Sequence, residues 1–81
     1  MKAKVWVNQL VEVTIDEKKF DKKFMESFRN TFYDFDDISD HIKHLAQLQA
    51  RGFENDFIEG YGSRDDMGIQ LEVIDQDEEF A

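Results

Sequence analysis

The stretch Asp34-Phe35-Asp36-Asp37-Ile38-Ser39-Asp40 separates two helical patterns and decides how the rest of the chain is organised. An aspartate can accept hydrogen bonds from the free amides that begin a helix, so Asp36 or Asp37 is predicted to cap the second helix. Asp40 then falls in the first turn, where the positive end of the helix dipole favours an acidic group. Capping needs only one or two of these four aspartates. The surplus indicates an acidic surface.

The segment before this cluster predicts an amphipathic helix over residues 17 to 33, with Asp16 as its N-cap. Phenylalanines recur at every fourth position along one face: Phe20, Phe24, Phe28 and Phe32. That spacing forms a single stripe, which we interpret as core. Lysines and acidic residues alternate on the other face. This mixture favours a solvated face with charge pairs over a membrane or nucleic-acid element.

The segment after the cluster predicts a second helix, because apolar residues repeat there at helical spacing: Ile38, Ile42, Leu45 and Leu48. Gly52 suits the left-handed position that ends a helix. The two helices are joined by a short acidic connection. We therefore expect them to form an αα-hairpin.

Alternating apolar residues predict strands near both ends of the chain. Residues 3 to 15 predict one long strand with one buried face, because valines and an isoleucine share one parity. Residues 57 to 61 and 67 to 73 predict a β-hairpin around a turn at Ser63-Arg64-Asp65-Asp66. Residues 75 to 81 are strongly acidic and are predicted to fray as a tail.

These segments predict a single domain over residues 1–81, with the acidic tail from about residue 75. The predicted fold class is α+β with the order β-α-α-β-β. Its sheet is three-stranded and largely antiparallel, and the αα-hairpin packs on one face of it.

The second face of that sheet is predicted to be open and to carry Trp6, Leu10 and Ile74. Large apolar side chains on an uncovered face favour association. Homodimerisation is one outcome and docking on a partner is another. The alternative is that Trp6 lies against a helix or the tail.

The chain contains no cysteine, and no apolar run approaches the ~20 residues that span a bilayer. Its N-terminus leads straight into the alternating segment and does not resemble a signal peptide. We therefore predict a cytoplasmic protein without membrane association, located in the host cytoplasm if a phage encodes it.

Candidate catalytic and metal-binding residues are few. His41 and His44 lie three residues apart on the second helix, near Asp37 and Asp40, so the four could share one helical face. A metal-dependent activity there is a third hypothesis, although the pattern specifies no further ligands. Neither a cysteine nor a serine with a partnered base supports nucleophilic catalysis. We therefore predict a protein that is not an enzyme and has no cofactor or metal.

Charge is distributed unevenly along the chain. Residues 2 to 29 carry seven Lys and Arg against five Asp and Glu, whereas residues 30 to 81 carry three against fourteen. An acidic surface repels phosphates, which argues against direct nucleic-acid or anionic-membrane binding. It attracts a basic partner. The alternative is that the acidity only keeps the protein soluble.

The predicted partner is a basic protein surface, such as that of a nucleic-acid-binding protein. Carboxylates can imitate a nucleic-acid backbone and accept charge-assisted hydrogen bonds from Arg and Lys. An aromatic side chain would anchor the contact. The candidate partner-binding residues are Asp34, Asp36, Asp37, Asp40, Glu54, Asp56, Glu59, Asp65 and Asp66, with Trp6, Tyr61 or Phe57 as the anchor.

The small size, the acidity, the absence of cysteine and proline and the βααββ order resemble small phage or mobile-element accessory proteins. Anti-CRISPR and anti-restriction inhibitors belong to this class. The resemblance implies a non-enzymatic inhibitor that occupies the nucleic-acid-binding surface of a host defence complex. A second hypothesis is a structural or assembly module that dimerises through the open sheet face.

Overall fold

The first and last strands of the chain pair with each other, and all the other elements lie between them in sequence. The computed structural model describes residues 1–81. In chain order its elements are β1 (Val5–Thr14), a 3-10 turn (Glu17–Lys19), α1 (Lys22–Thr31), α2 (Ile38–Ala50), β2 (Phe57–Ile58), β3 (Gly62–Ser63), α3 (Arg64–Met67) and β4 (Gln70–Phe80). The predicted α+β class is confirmed.

The strand pairing differs from the prediction. β1 and β4 form one two-stranded antiparallel sheet, and β2 and β3 form another. The predicted three-stranded sheet is therefore not found. The predicted turn at Ser63-Arg64-Asp65-Asp66 instead contains the start of α3, which ends at Gly68 with a φ of 64°. α3 lies between β3 and β4 in the chain, and β4 pairs with β1 rather than with β2.

A β-bulge divides the long ribbon of β1 and β4 into two halves. Val11 faces Val73 and Leu10 faces Asp75, which leaves Ile74 without a partner. The predicted fraying of residues 75 to 81 is wrong for residues 75 to 80, because they continue β4. Their backbone groups are held by pairing with β1. We call the half beyond the bulge, residues 5–10 and 75–80, the outer ribbon.

Helix α1 is shorter than predicted, because a break precedes it. Asp16 caps only the 3-10 turn, through a hydrogen bond from the Lys18 amide. Asp21 caps α1 itself, and its Oδ1 accepts from the Phe24 amide at 2.9 Å. The helix ends at Thr31.

Helix α2 forms as predicted. Asp37 is its N-cap and forms a capping box with Asp40. Gly52 follows the helix with a φ of 84°, a conformation that glycine adopts without strain. These signals act over a few residues, so the local sequence is sufficient to place the helix.

The core lies where α2 packs across the inner halves of β1 and β4. Its buried apolar residues are Phe20, Phe28, Leu45, Ile58, Tyr61 and Ile69. The phenylalanine stripe is thus core at Phe20 and Phe28. Phe24 is half-buried, whereas Phe32 is exposed. The molecule is elongated, at 50 × 23 × 19 Å, and the outer ribbon is exposed on both faces apart from the half-buried Gln9.

Candidate functional site

The aspartates between α1 and α2 have different roles. Asp37 Oδ1 accepts from the Ser39 amide at 3.2 Å, and Asp40 Oδ2 accepts from the Asp37 amide at 3.3 Å. Asp36 pairs with Arg29 at 3.3 Å. Asp34 is exposed and its side chain accepts no hydrogen bond. Two of the four aspartates therefore begin a helix. The other two lie at the surface, where Asp34 has no partner and Asp36 stays 81% exposed beside Arg29.

A second acidic group lies beyond the opposite end of α2. Its members, all exposed, are Glu54, Asp56, Asp65 and Asp66. Arg64 directly precedes Asp65, and its guanidinium donates to the carbonyls of Phe53 at 3.2 Å and Asn55 at 2.8 Å. It forms no ion pair with these carboxylates. The 13 residues of α2 separate the two acidic groups by about 20 Å.

An apolar cleft runs along α2 between these groups. It has a volume of about 360 Å³ and is lined by Thr31, Phe32, Tyr33, His44, Leu48, Phe53, Ile58 and Glu59. Two aromatic residues on its rim are exposed to solvent, Tyr33 at 55% and Phe32 at 40%. Glu59, a predicted partner-binding residue, also lines this cleft. The cleft therefore combines an aromatic surface with one acidic group.

Sequence reasoning did not identify this cleft. The predicted helix extends to residue 33, which would place Phe32 in the buried stripe. The observed helix ends at Thr31, and Phe32 follows as its C-cap. The Phe32 ring still lies 5.1 Å from the Phe28 ring, but it is 40% exposed. The signal present in the sequence was an aromatic pair directly before an acidic turn.

The prediction that Tyr61 anchors a partner is wrong, because Tyr61 is only 5% exposed. Gly60 and Gly62 on either side have φ values of 90° and 86°. These left-handed conformations allow a tight loop that directs Tyr61 inward. Its hydroxyl is hydrogen-bonded to Nδ1 of the buried His41 at 2.8 Å. Tyr61 is therefore a core residue.

The two histidines lie in aromatic surroundings. Burial lowers the pKa of His41 below its ordinary value of 6.5; a charge on His44 lowers that pKa further and Asp40 opposes the shift. Burial, followed by the charge of Arg51, also lowers the pKa of His44. Burial raises the pKa of the Tyr61 hydroxyl. Both shifts favour the neutral form of the two imidazole rings.

The third hypothesis, a metal site at His41 and His44, has no support in the arrangement of the two rings. Nδ1 of His41 contacts the Tyr61 hydroxyl, and the His44 ring lies 5.3 Å from the ring of Tyr33. No group of three or more His, Asp or Glu side chains is placed to hold a metal ion.

Trp6 lies on the outer ribbon, apart from the four aspartates between α1 and α2. It is 65% exposed and faces Glu79 across the strands. β4 carries a third acidic group along the outer ribbon: Asp75, Asp77, Glu78 and Glu79. The sequence had indicated only a tail there. Phe57 is also exposed, on β2.

None of the helices combines the length and hydropathy that crossing a membrane would require. No protein-family model, curated protein or solved structure matches this chain. Its function must therefore be inferred from the surfaces described above.

Proposed function

We propose that this protein is a non-enzymatic inhibitor that occupies a positively charged, nucleic-acid-binding surface of another protein. The target class follows from the resemblance to anti-CRISPR and anti-restriction proteins: a host CRISPR or restriction complex. The contact surface consists of the acidic group beyond α2, the aromatic cleft, and the four aspartates between α1 and α2: Asp34, Asp36, Asp37 and Asp40.

One observation supports this proposal above the others. The chain has 19 Asp and Glu residues, yet only Asp36 forms an ion pair within it. Asp16, Asp21, Asp37 and Asp40 are used as helix caps. Most of the remaining carboxylates have no partner in the chain. They are therefore available to the Arg and Lys side chains of another protein.

The size of the charge limits how nucleic-acid mimicry can work. Duplex DNA carries about one negative charge per 1.7 Å, or roughly 30 over the length of this molecule. The protein has a net charge of −9 over 50 Å. Its average charge density is therefore about a third that of DNA. Mimicry would have to depend on local groups such as Asp34 with Asp36.

Charge alone would bind a partner weakly, since an exposed ion pair contributes about 0–1 kcal/mol. A buried aromatic anchor contributes more, often 2 kcal/mol or above at a central position. The cleft at Phe32 and Tyr33 lies between the two acidic groups along α2. We infer that an apolar or long-chain basic side chain of the partner enters it while cations contact its acidic flanks.

The test uses charge reversal where the aspartates do not cap a helix. The partner is captured from a lysate of a bacterium with CRISPR and restriction systems, then purified. Asp34→Lys/Asp36→Lys should weaken its binding at least tenfold. The matched control, Asp77→Lys/Glu79→Lys, makes the same change in net charge on the outer ribbon. It should weaken binding less.

Duplex DNA should compete with the protein for the captured partner, because both would occupy one surface. Binding that persists in excess DNA would contradict the proposal. So would an affinity that neither double variant changes. Tyr33→Ala separates the anchor from the charges, because it should reduce affinity with little change in salt dependence.

A second candidate is a structural or assembly module that dimerises through the open face of the ribbon. It is favoured by the exposure of Trp6, Leu10 and Ile74. Light scattering during size exclusion should then show a dimer for the natural chain and a monomer for Trp6→Ala. A strict monomer for both would rule out this candidate.

A further inference from the structure

We propose that two copies of this chain pair edge to edge through β1, with Asn8 of each copy on the two-fold axis. β1 has a strand partner on only one side, where β4 lies. Its other edge presents unpaired backbone donors and acceptors, which are a template for a further strand. The result would be a four-stranded antiparallel sheet in the order β4-β1-β1-β4.

The free backbone groups on that edge belong to the odd-numbered residues of β1. The Ala81 amide donates to the Lys4 carbonyl at 3.0 Å, which extends the register in which Val5 faces Phe80. In antiparallel pairs, residues that point backbone groups at the partner strand alternate with residues that point them away. The even-numbered residues therefore bond to β4, and Val5, Val7, Gln9 and Val11 point outward.

The outer ribbon lacks what usually stabilises two strands. An isolated two-stranded ribbon is marginal in water, and three or more strands or a packed helix are normally needed. The packed apolar residues of the two long strands are Val13, Ile15, Ile69 and Leu71, all in or next to the inner half. Beyond the bulge no helix covers the strands. A second copy would double the strand number there.

Side-chain pairing selects one register. When the two-fold axis passes through Asn8, Lys4 faces Glu12 of the second copy, twice by symmetry. Trp6 likewise faces Leu10 of the second copy. These are non-hydrogen-bonded pairs, in which Cα atoms are about 4.5 Å apart and side chains contact closely. Shifting the axis by one residue places Lys4 opposite Leu10 or Thr14, so the charge pairing is lost.

The same register completes an apolar row on the opposite face. Phe80, Val5 and Val73 are 78%, 47% and 36% exposed in the single chain. Directly opposed residues share a face, so Phe80 lies beside Val5, and Val11 lies beside Val73. In the dimer, Val5 of one copy faces Val11 of the other. Each row then consists of Phe80 and Val5 of one copy followed by Val11 and Val73 of the other.

Charge repulsion excludes the other symmetric dimer, in which the β4 edges of two copies would pair. The free edge of the outer ribbon on β4 carries Asp75, Asp77, Glu78 and Glu79, so pairing of two β4 edges would bring like charges together. β1 has no acidic residue between Val5 and Val11. Pairing of β1 with β4 of the next copy would leave an open edge and produce filaments. The β1 edge alone gives a closed dimer with favourable charges.

Cysteine cross-linking tests the register directly, because the chain has no cysteine. Asn8→Cys should form an intermolecular disulfide under mild oxidation, since a Cα separation of about 4.5 Å is within the range of disulfides. Leu10→Cys alone and Trp6→Cys alone should not, but a mixture of the two should give a mixed disulfide. Equal cross-linking of Leu10→Cys and Asn8→Cys would overturn the register.

A charge swap tests the pairing without cross-links. Lys4→Glu and Glu12→Lys should each raise the dimer dissociation constant about tenfold, since each places like charges together at two sites. Lys4→Glu/Glu12→Lys should restore the natural value. Glu26→Lys is the matched control, because Glu26 is exposed on α1 and lies away from the new strand pair. A double variant no tighter than the single variants, or a monomeric natural chain, would overturn the proposal.

Discussion

Nδ1 of His41 and the hydroxyl of Tyr61 are hydrogen-bonded at 2.8 Å in the interior of the protein, although twenty residues separate them along the chain. The His41 ring also lies 4.6 Å from the Phe28 ring in an edge-on arrangement. This contact joins α2 to the loop between β2 and β3, and through Phe28 to α1. The helical layer is thus held together by aromatic rings around one polar pair.

Tyr61→Phe should lower the free energy of unfolding by about 1–3 kcal/mol, because it leaves the buried His41 Nδ1 without a partner. The measurement is urea unfolding followed by circular dichroism. Tyr33→Phe is the control, since Tyr33 is exposed and its hydroxyl is not hydrogen-bonded. An equal loss in the two variants would contradict the role assigned to the pair.

Stability should decrease as pH falls from 7 through 6.5 and below. The folded pKa values of His41 and His44 are lowered, so the unfolded chain binds protons first. The stabilisation is complete above pH 6.5 and is lost as pH falls towards the folded pKa values. The Nε2 of His41 is buried without a partner, so a proton there would have no acceptor.

The variant that checks this titration is His41→Phe/Tyr61→Phe, which removes both members of the polar pair. Its free energy of unfolding should depend less on pH between 7 and 5 than that of the natural chain. Chemical denaturation at several pH values measures the difference. If the free energy of unfolding of this variant changes with pH as steeply as that of the natural chain, His41 does not cause the pH dependence.

Gly60→Ala should destabilise the protein more than Gly62→Ala. Both positions have positive φ, so alanine at either one costs about 1–2 kcal/mol of backbone strain. A Cβ at position 60 would also lie 2.6 Å from the Cε2 atom of Phe28, whereas position 62 is open. The clash should add about 1–3 kcal/mol. Thermal unfolding of the two variants makes the comparison, and equal midpoints would refute the steric argument.

Asp37→Ala should lower the free energy of unfolding by about 0.5–2 kcal/mol, because it removes the N-cap of α2 and half of its capping box. Asp34→Ala should change it by no more than about 0.5 kcal/mol, as expected for an exposed residue without a partner. Urea unfolding distinguishes the two. A large effect of Asp34→Ala would mean that this aspartate has a structural role.

Helix α2 shows how far local sequence can determine this protein. Asp37, the apolar residues from Ile38 onward and Gly52 act on each other within the helix and its ends. The strand at residues 3 to 15 is also predictable from local sequence, because the alternation of apolar residues specifies which side chains share a face. The acidic residues at the two ends of α2 were also identified as surface groups, since their charge disfavours burial.

The pairing of the strands and the location of the cleft depended on tertiary structure. Alternation over residues 67 to 73 specifies a face but not a partner, so it could not indicate that β4 pairs with β1 and continues to Phe80. Tyr61 illustrates the same limit: a tyrosine between two glycines suits a surface loop or a buried turn equally well. Its position was decided by His41, and that contact forms only when α2 and the loop are brought together by the fold.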